Sequence, residues 1–399
     1  MQVTQLDFED AALVRLALPG GDLNLVRGIG SGLTLAHDGT LWGLGDRGPN
    51  LKVPLAIAHH GPSGLEPLAG LRGAKVMPLP AAGPALARLR LEGDRVVCET
   101  VLYLRDRNGR PLSGLPVAAG MGEVAVDLDG RELAPDPGGA DTEGVAALAD
   151  GGFWVTEEYG PSLLRVAADG EVRVRWVPAG TQDLYAGAAY PVAGVLPAIA
   201  AARQFNRGFE GIALSPDETR IYLAFQSPLA HPDEATHSQA RHVRLWTLDA
   251  STGALLAQHL YPLDPPDSFR RDLAQGPVAW CDLKISELVT LACDCLLVLE
   301  RGSATTKFYT VRLDGPGLAP DHIDPATRPT AEQLSAAGAA VPELAKTVVF
   351  STDDMPQIGH DLEGVVKLGP RSLLLVNDND LGVEGVATRF WRVELDADL

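Results

Sequence analysis

Positive charge is scarce in this chain: 33 Lys and Arg stand against 52 Asp and Glu, a formal net charge of -19 over 399 residues. Such a surplus repels nucleic acid and anionic membrane surfaces, so neither is expected as a partner. Cysteine is nearly missing, with only Cys98, Cys281, Cys293 and Cys295. Cys293 and Cys295 are too close for an ordinary zinc pair, and the four read as buried structural thiols with no disulfide framework. No uninterrupted apolar stretch is long enough to span a bilayer. Residues 1–7 show neither a basic n-region nor an apolar h-region. The expected location is therefore cytoplasmic, or periplasmic or secreted if the chain is a trimmed mature form.

What the chain does have is turn residues, 43 Gly and 30 Pro, within a composition that is 46% hydrophobic. That combination suits an all-β protein of many short strands. Five segments repeat one pattern: SGLTLAHDGTLWGLGDRG (31–48), EGVAALADGGFWVTEEYG (143–160), EGIALSPDETRIYLAFQS (210–227), SELVTLACDCLLVLERG (286–302) and EGVVKLGPRSLLLVNDND (363–380). Each has two runs rich in Val, Leu, Ile, Trp or Tyr, mostly joined by Asp, Gly or Pro, which is the signature of a β-hairpin. Further strands follow in several units, and the units recur at irregular intervals. The predicted fold is therefore a β-propeller of four-stranded blades, five counted, with room for a degenerate sixth in 50–140. It forms one domain over 1–399, with insertions near 178–204 and 314–342, the second containing a short helix at 331–340. A strand at 13–18 is expected to pair with the last blade and close the ring. A β-sandwich is the competing fold, but its strands have no reason to repeat a Glu-Gly start.

In an antiparallel hairpin, the start of the first strand and the end of the second lie together. The pattern thus brings Ser31 near Asp46, Glu143 near Glu157 and Glu158, Glu210 near Gln226, Ser286 near Glu300, and Glu363 near Asn377 and Asp378. If the first strand of every blade lines a channel, these ends meet around one mouth. Carboxylates gathered this way repel each other and need compensation. A hard divalent cation with oxygen ligands, calcium above all, is the simplest source, and Glu143, Glu210, Glu363, Asp46 and Asp378 are its expected ligands. Arg47, Arg207, Lys284 and Arg301 are the local cations expected to bind substrate phosphate oxygens. Glu157, Glu300 and His360 are the candidate catalytic residues, as general bases or a proton-transfer group at the mouth. The bland alternative is that a Glu-Gly start merely bonds neighbouring backbone amides. Asp38, Asp150 and Asp217 are read as turn residues at the opposite end. His231, His237 and His242 are read as a solvated loop rather than a metal site, and no Gly-x-Ser-x-Gly elbow supports a serine esterase.

Several phrases carry a resemblance: Asp141-Thr142-Glu143-Gly144-Val145, Phe153-Trp154-Val155-Thr156-Glu157-Glu158-Tyr159-Gly160-Pro161-Ser162, Asn206-Arg207-Gly208-Phe209-Glu210-Gly211, Lys284-Ile285-Ser286-Glu287-Leu288 and Leu299-Glu300-Arg301-Gly302. Together they resemble the phytase-like family with esterase-like activity, across nearly the whole chain. The resemblance implies a Glu- and Asp-rich repeat domain with phosphoesterase activity on a small phosphorylated substrate. Many relatives are exported, a feature to which the opening residues lend no support. A calcium-dependent lactonase or other ester hydrolase, and a non-enzymatic binding propeller, are the alternatives that an acidic channel also allows.

Overall fold

The computed structural model describes residues 1–62 and 64–399. Most of the strands lie in five sheets, antiparallel apart from one edge strand, each begun by one of the repeated hairpins. The first sheet comprises Gly32–Leu35, Leu41–Gly45, Ala85–Glu92 and Arg95–Tyr103 in that order. The second runs Thr142–Ala147, Phe153–Glu157, Ser162–Val166 and Val172–Pro178, then adds Val192–Leu196 in parallel at its edge. The third contains Phe209–Leu214, Arg220–Phe225, His242–Asp249 and Leu255–Pro262. Lys284–Ala292, Cys295–Arg301, Thr306–Arg312 and Lys346–Ser351 make the fourth. The fifth takes Leu362–Lys367, Ser372–Asn377 and Phe390–Glu394, and its last position is filled from the start of the chain by Gln2–Leu6.

The first strands of consecutive sheets touch, and that of the fifth touches that of the first. Apolar layers fill the spaces between them. Leu44, Leu86, Val155 and Leu164 join the first sheet to the second, and Phe209, Trp246, Leu288 and Val298 join the third to the fourth. Leu299, Phe308, Val365 and Trp391 join the fourth to the fifth, and Leu41, Leu89, Leu374 and Phe390 return from the fifth to the first. Each sheet is therefore covered on both faces, which is why its strands read as nearly continuous apolar runs rather than alternating ones. The architecture is mostly β and propeller-like.

Narrowness at the centre follows from the glycine after the repeated Ser or Glu in four of the five hairpins: Gly32, Gly144, Gly211 and Gly364. A Cβ on Gly144 would lie 2.2 Å from the Glu210 carbonyl oxygen, and one on Gly32 2.8 Å from that of Glu143. Any side chain there would push neighbouring first strands apart. In four of the five sheets the register slips at this point, between Thr142 and Val145, Phe209 and Ile212, Ile285 and Glu287, and Leu362 and Gly364. Such bulges re-aim side chains and bend the strand.

Three sequence expectations are corrected. The strand beginning near 13 is Ala12–Leu16, and it pairs with Leu23–Val26 instead of the fifth sheet. Gln2–Leu6 takes the closing position, because its partner Phe390–Glu394 needs an outer neighbour and the more polar QVTQL suits a half-exposed edge. The helix in the second insertion is shorter than expected, Ala331–Ala336, and is pinned to the third sheet by the buried Arg244–Glu332 pair. The cysteines are free but none is fully buried: Cys98, Cys281 and Cys295 are half-buried and Cys293 lies exposed in a hairpin turn. Within 50–140, apart from the outer strands of the first sheet, there is a small three-stranded sheet of Leu51–Lys52, Ala74–Val76 and Val124–Val126, with its own apolar cluster.

Candidate active site

The repeated hairpin ends do converge. One carboxylate oxygen from each of Asp46, Asp141 and Glu143 lies within 4.8 Å of the other two, and so do oxygens of Glu143, Glu158 and Glu210. Asp141 immediately precedes the strand Thr142–Ala147 and Glu143 is its second residue, two positions on, at the bulge. Asp46 and Glu158 each directly follow the second strand of their hairpin, and Glu210 is the second residue of the strand that opens the third sheet. Glu158 is 2% exposed and its Oε2 has no hydrogen-bond partner. Glu210 accepts from Gln226 Nε2 at 2.9 Å and from Ser286 Oγ at 3.3 Å.

Behind this group lies a layer of carboxylates whose bonds are complete. Glu157 is wholly buried and paired with Arg175 at 2.6 Å. It also accepts from Ser162 Oγ and from the amides of Asp141, Tyr159 and Gly160. Glu300, at the matching place in the fourth sheet, is held by Lys346 at 2.6 Å, Tyr261 at 2.7 Å and the Asp264 amide at 2.6 Å. Both carboxylates thus lack a free oxygen for abstracting a proton. They anchor the hairpin ends.

The cations divide in the same way. Arg47 spans Glu123 and Asp141, at 3.0 Å each, and also bonds the Tyr159 hydroxyl, so it is a clamp for Asp141. Arg301 bonds Ser286 and Glu363 and approaches Asp361. Arg207 and Lys284 form no side-chain hydrogen bond or ion pair among the described residues, and Arg207 Nη1 is a buried donor without a partner. A cleft of about 820 Å³ runs alongside, lined by Lys284 together with Asn50, Lys52, His59, Lys75 and Asp380.

Electrostatics mark the same positions. Burial, reinforced by neighbouring carboxylates, holds Glu143, Asp141 and Glu210 well above the usual carboxylate range, and Glu158 above it. Asp378 is raised by burial and by Asp380 and Glu363. Burial pushes Glu363 up to about 7, with Arg301 pulling the other way. Lys284 is lowered by Arg301, burial and Arg207. Arg207 is lowered chiefly by burial.

Of the expected ligands, Asp46, Glu143 and Glu210 come together, whereas Glu363 is engaged by Arg301 and Asp378 lies outside both groups of three. His360 is exposed at the rim, 3.5 Å from Asp361. Asp141 and Glu158 join the cluster without having been named as ligands. The spacing Asp141-Thr142-Glu143 was the available signal for the first. His231, His237 and His242 are separately tied, to Arg328, to the Pro228 carbonyl, and to Ser335 and Glu343, and the first two are buried rather than solvated. Asp38, Asp150 and Asp217 accept bonds from residues two positions away, as turn residues do.

An all-oxygen set of carboxylates, buried except for the half-buried Asp46 and with an orphaned oxygen on Glu158, fits a hard divalent cation such as calcium. No helix among the described residues is long and apolar enough to cross a membrane. A family model described as "Phytase-like: Esterase-like activity of phytase" matches residues 24–381. An uncharacterized secreted protein of Arthroderma benhamiae is 25% identical over 233 residues, covering 51% of this chain and 44% of that protein. The chain thus matches less than half the length of that relative. Two solved structures align over nearly all of both chains. A gluconolactonase from Xanthomonas campestris is 12% identical, covers 99% of this chain and 98% of its own, and has a TM-score of 0.36. A periplasmic gluconolactonase from Pseudomonas aeruginosa is 12% identical, covers 100% and 98%, and has a TM-score of 0.35.

Proposed function

Because this chain belongs to the phytase-like family described by its esterase-like activity, we propose that it is an ester hydrolase whose substrate is a phosphate ester, and that a divalent cation, calcium, is held at the acidic mouth. In this reading the five sheets are the blades of one propeller domain covering 1–399. The observation that carries it is the pairing of opposites. Carboxylates without cationic partners sit at the ends of strands of the first and second sheets, and Arg207 and Lys284, without anionic partners, sit just before the third sheet and at the start of the fourth. A phosphate ester bound through a cation satisfies both sides at once.

Asp46, Asp141, Glu143, Glu158 and Glu210 are the residues that would hold the cation. When bound, such an ion polarises phosphoryl oxygens and lowers the pKa of water. Arg207, whose orphaned Nη1 is aimed at no protein acceptor, and Lys284 bind the remaining phosphoryl oxygens. Arg47 keeps Asp141 in place and lets its charge coexist with Asp46 and Glu143. Glu363 holds one oxygen on Arg301, and its carboxyl, pushed up to about 7, exchanges its proton near neutral pH. It replaces Glu157 and Glu300 as the proposed proton-transfer group, because their oxygens are saturated. The secreted description of the fungal relative favours an exported setting, where calcium is plentiful.

The test is a hydrolysis assay on p-nitrophenyl phosphate and bis-p-nitrophenyl phosphate beside δ-gluconolactone and p-nitrophenyl acetate, with chelator-stripped protein and with added calcium. Phosphate release that depends on calcium is expected. Turnover of the lactone or acetate alone defeats the phosphoester reading, and no turnover of any substrate favours a binding propeller.

A further inference from the structure

The cation-binding reading leaves open how many ions the mouth takes, and the two groups of three carboxylates bear on that number. They share one residue, Glu143. Calcium binds oxygens at about 2.3–2.6 Å, so two ligands of one ion lie no more than about 5 Å apart. Both groups meet that limit separately, each with a spread of at most 4.8 Å. Asp46 and Glu210 fall in different groups.

Charge points the same way. Of the five carboxylates, only Asp141 has an ion-pair partner, Arg47 at 3.0 Å. Arg47 is shared with Glu123, and Asp46, Glu143, Glu158 and Glu210 have no ion-pair partner among the described residues, so the cluster carries more negative charge than one divalent cation balances. The buried side chains are also short of bonds. Glu158, 2% exposed, has an unpartnered Oε2, and Glu143, 8% exposed, accepts no hydrogen bond from a described residue. An unpartnered oxygen as deeply placed as Glu158 Oε2 requires a ligand or a proton.

We infer that the mouth binds two divalent cations bridged by Glu143, one completed by Asp46 and Asp141 and the other by Glu158 and Glu210. This rests on the metal-dependent reading above and adds to it a stoichiometry and a division of ligands. Asp46 and Glu210 then report on different ions.

Chelator-stripped full-length protein, titrated separately with calcium and with manganese, tests this by equilibrium dialysis with elemental analysis. Two equivalents of at least one of these metals are expected per chain. Asp46→Asn and Glu210→Gln should each retain one equivalent, and Glu143→Gln should weaken both sites at least tenfold. Circular dichroism and thermal melts confirm that each variant is folded, and Asp46→Asn, at a half-buried position, keeps the test open if a deeper variant does not fold. One equivalent in the unaltered protein, or the same ion lost from both Asp46→Asn and Glu210→Gln, overturns the inference while phosphoester hydrolysis can still stand. Two equivalents without phosphoester turnover defeats the functional reading and keeps the stoichiometry. Binding of neither metal overturns both.

Discussion

Glu157 and Glu158 are consecutive and equally hidden from water, yet they belong to two regions with opposite electrostatics. Glu157 lies in the layer behind the mouth, where Arg175, Ser162 and three backbone amides complete its bonds. Glu158 faces the mouth, among Asp46, Glu143 and Glu210, with an oxygen left over. Glu300 and Arg301 repeat the division in the fourth sheet: the first is tied into the Lys346, Tyr261 and Asp264 network, and the second turns to Glu363. The layer behind is built for stability. The mouth is built with unmet charge, which is tolerable only if something else supplies the partner.

The comparison breaks most decisively at Arg175. Replacing it with Met leaves Glu157 buried without its cation, so Arg175→Met should cost about 3–5 kcal/mol in urea unfolding. A loss under about 1 kcal/mol would mean that the layer behind is no more stabilising than the mouth. Glu158→Gln should behave in the reverse way. Removing a repelled charge should leave chelator-stripped protein as stable as before or more so, while calcium-dependent phosphoester turnover falls by about 100-fold or more. Unchanged turnover would remove Glu158 from the site.

A pH series sharpens the contrast. Glu363 is raised from 4.5 to about 7 on folding, so the folded state holds this proton more tightly than the unfolded one. That favours folding below about 4.5, and the benefit is lost as pH rises through about 7. Chelator-stripped protein should therefore melt at a higher temperature at pH 5.5 than at pH 8, and calcium should narrow the gap. Asp264, in the layer behind, is lowered to about 2 by Lys307, Lys346 and Tyr309 against the effect of burial. Its contribution is present above its ordinary 3.8 and is lost only as pH falls toward 2, outside that window. A melting temperature that is flat from pH 5.5 to 8 without metal would contradict the charge surplus at the mouth. A smaller effect is expected from Arg207→Met, which should raise KM for a phosphate ester about tenfold with little change in melting temperature. Asp38→Ala, at a hairpin turn on the far end, should leave turnover unaltered.

Much of this was legible in the chain. The five hairpins and their acidic starts could be read from local pattern, because turn residues and apolar runs act within about 18 residues and hairpin geometry then dictates which ends meet. The choice of closing strand was not legible. The apolar 13–18 reads as the stronger strand, yet Gln2–Leu6 has the place beside Phe390–Glu394, and backbone pairing at a half-exposed edge asks little of side chains. Nor could local pattern separate Glu157 from Glu158 or Glu300 from Arg301. Both sides of these strands are buried, so the alternation that usually distinguishes inside from outside carries no signal.

By itself, then, the order of residues determined that the chain makes repeated acidic hairpins and that their charged ends would gather. Only the tertiary structure decided which carboxylates are already satisfied, because the partners come from elsewhere: Arg47 reaches Glu123 and Asp141, and Lys346 reaches Glu300. An ion pair depends on distance in space, and a strand's own sequence does not record which distant cation will be folded against it.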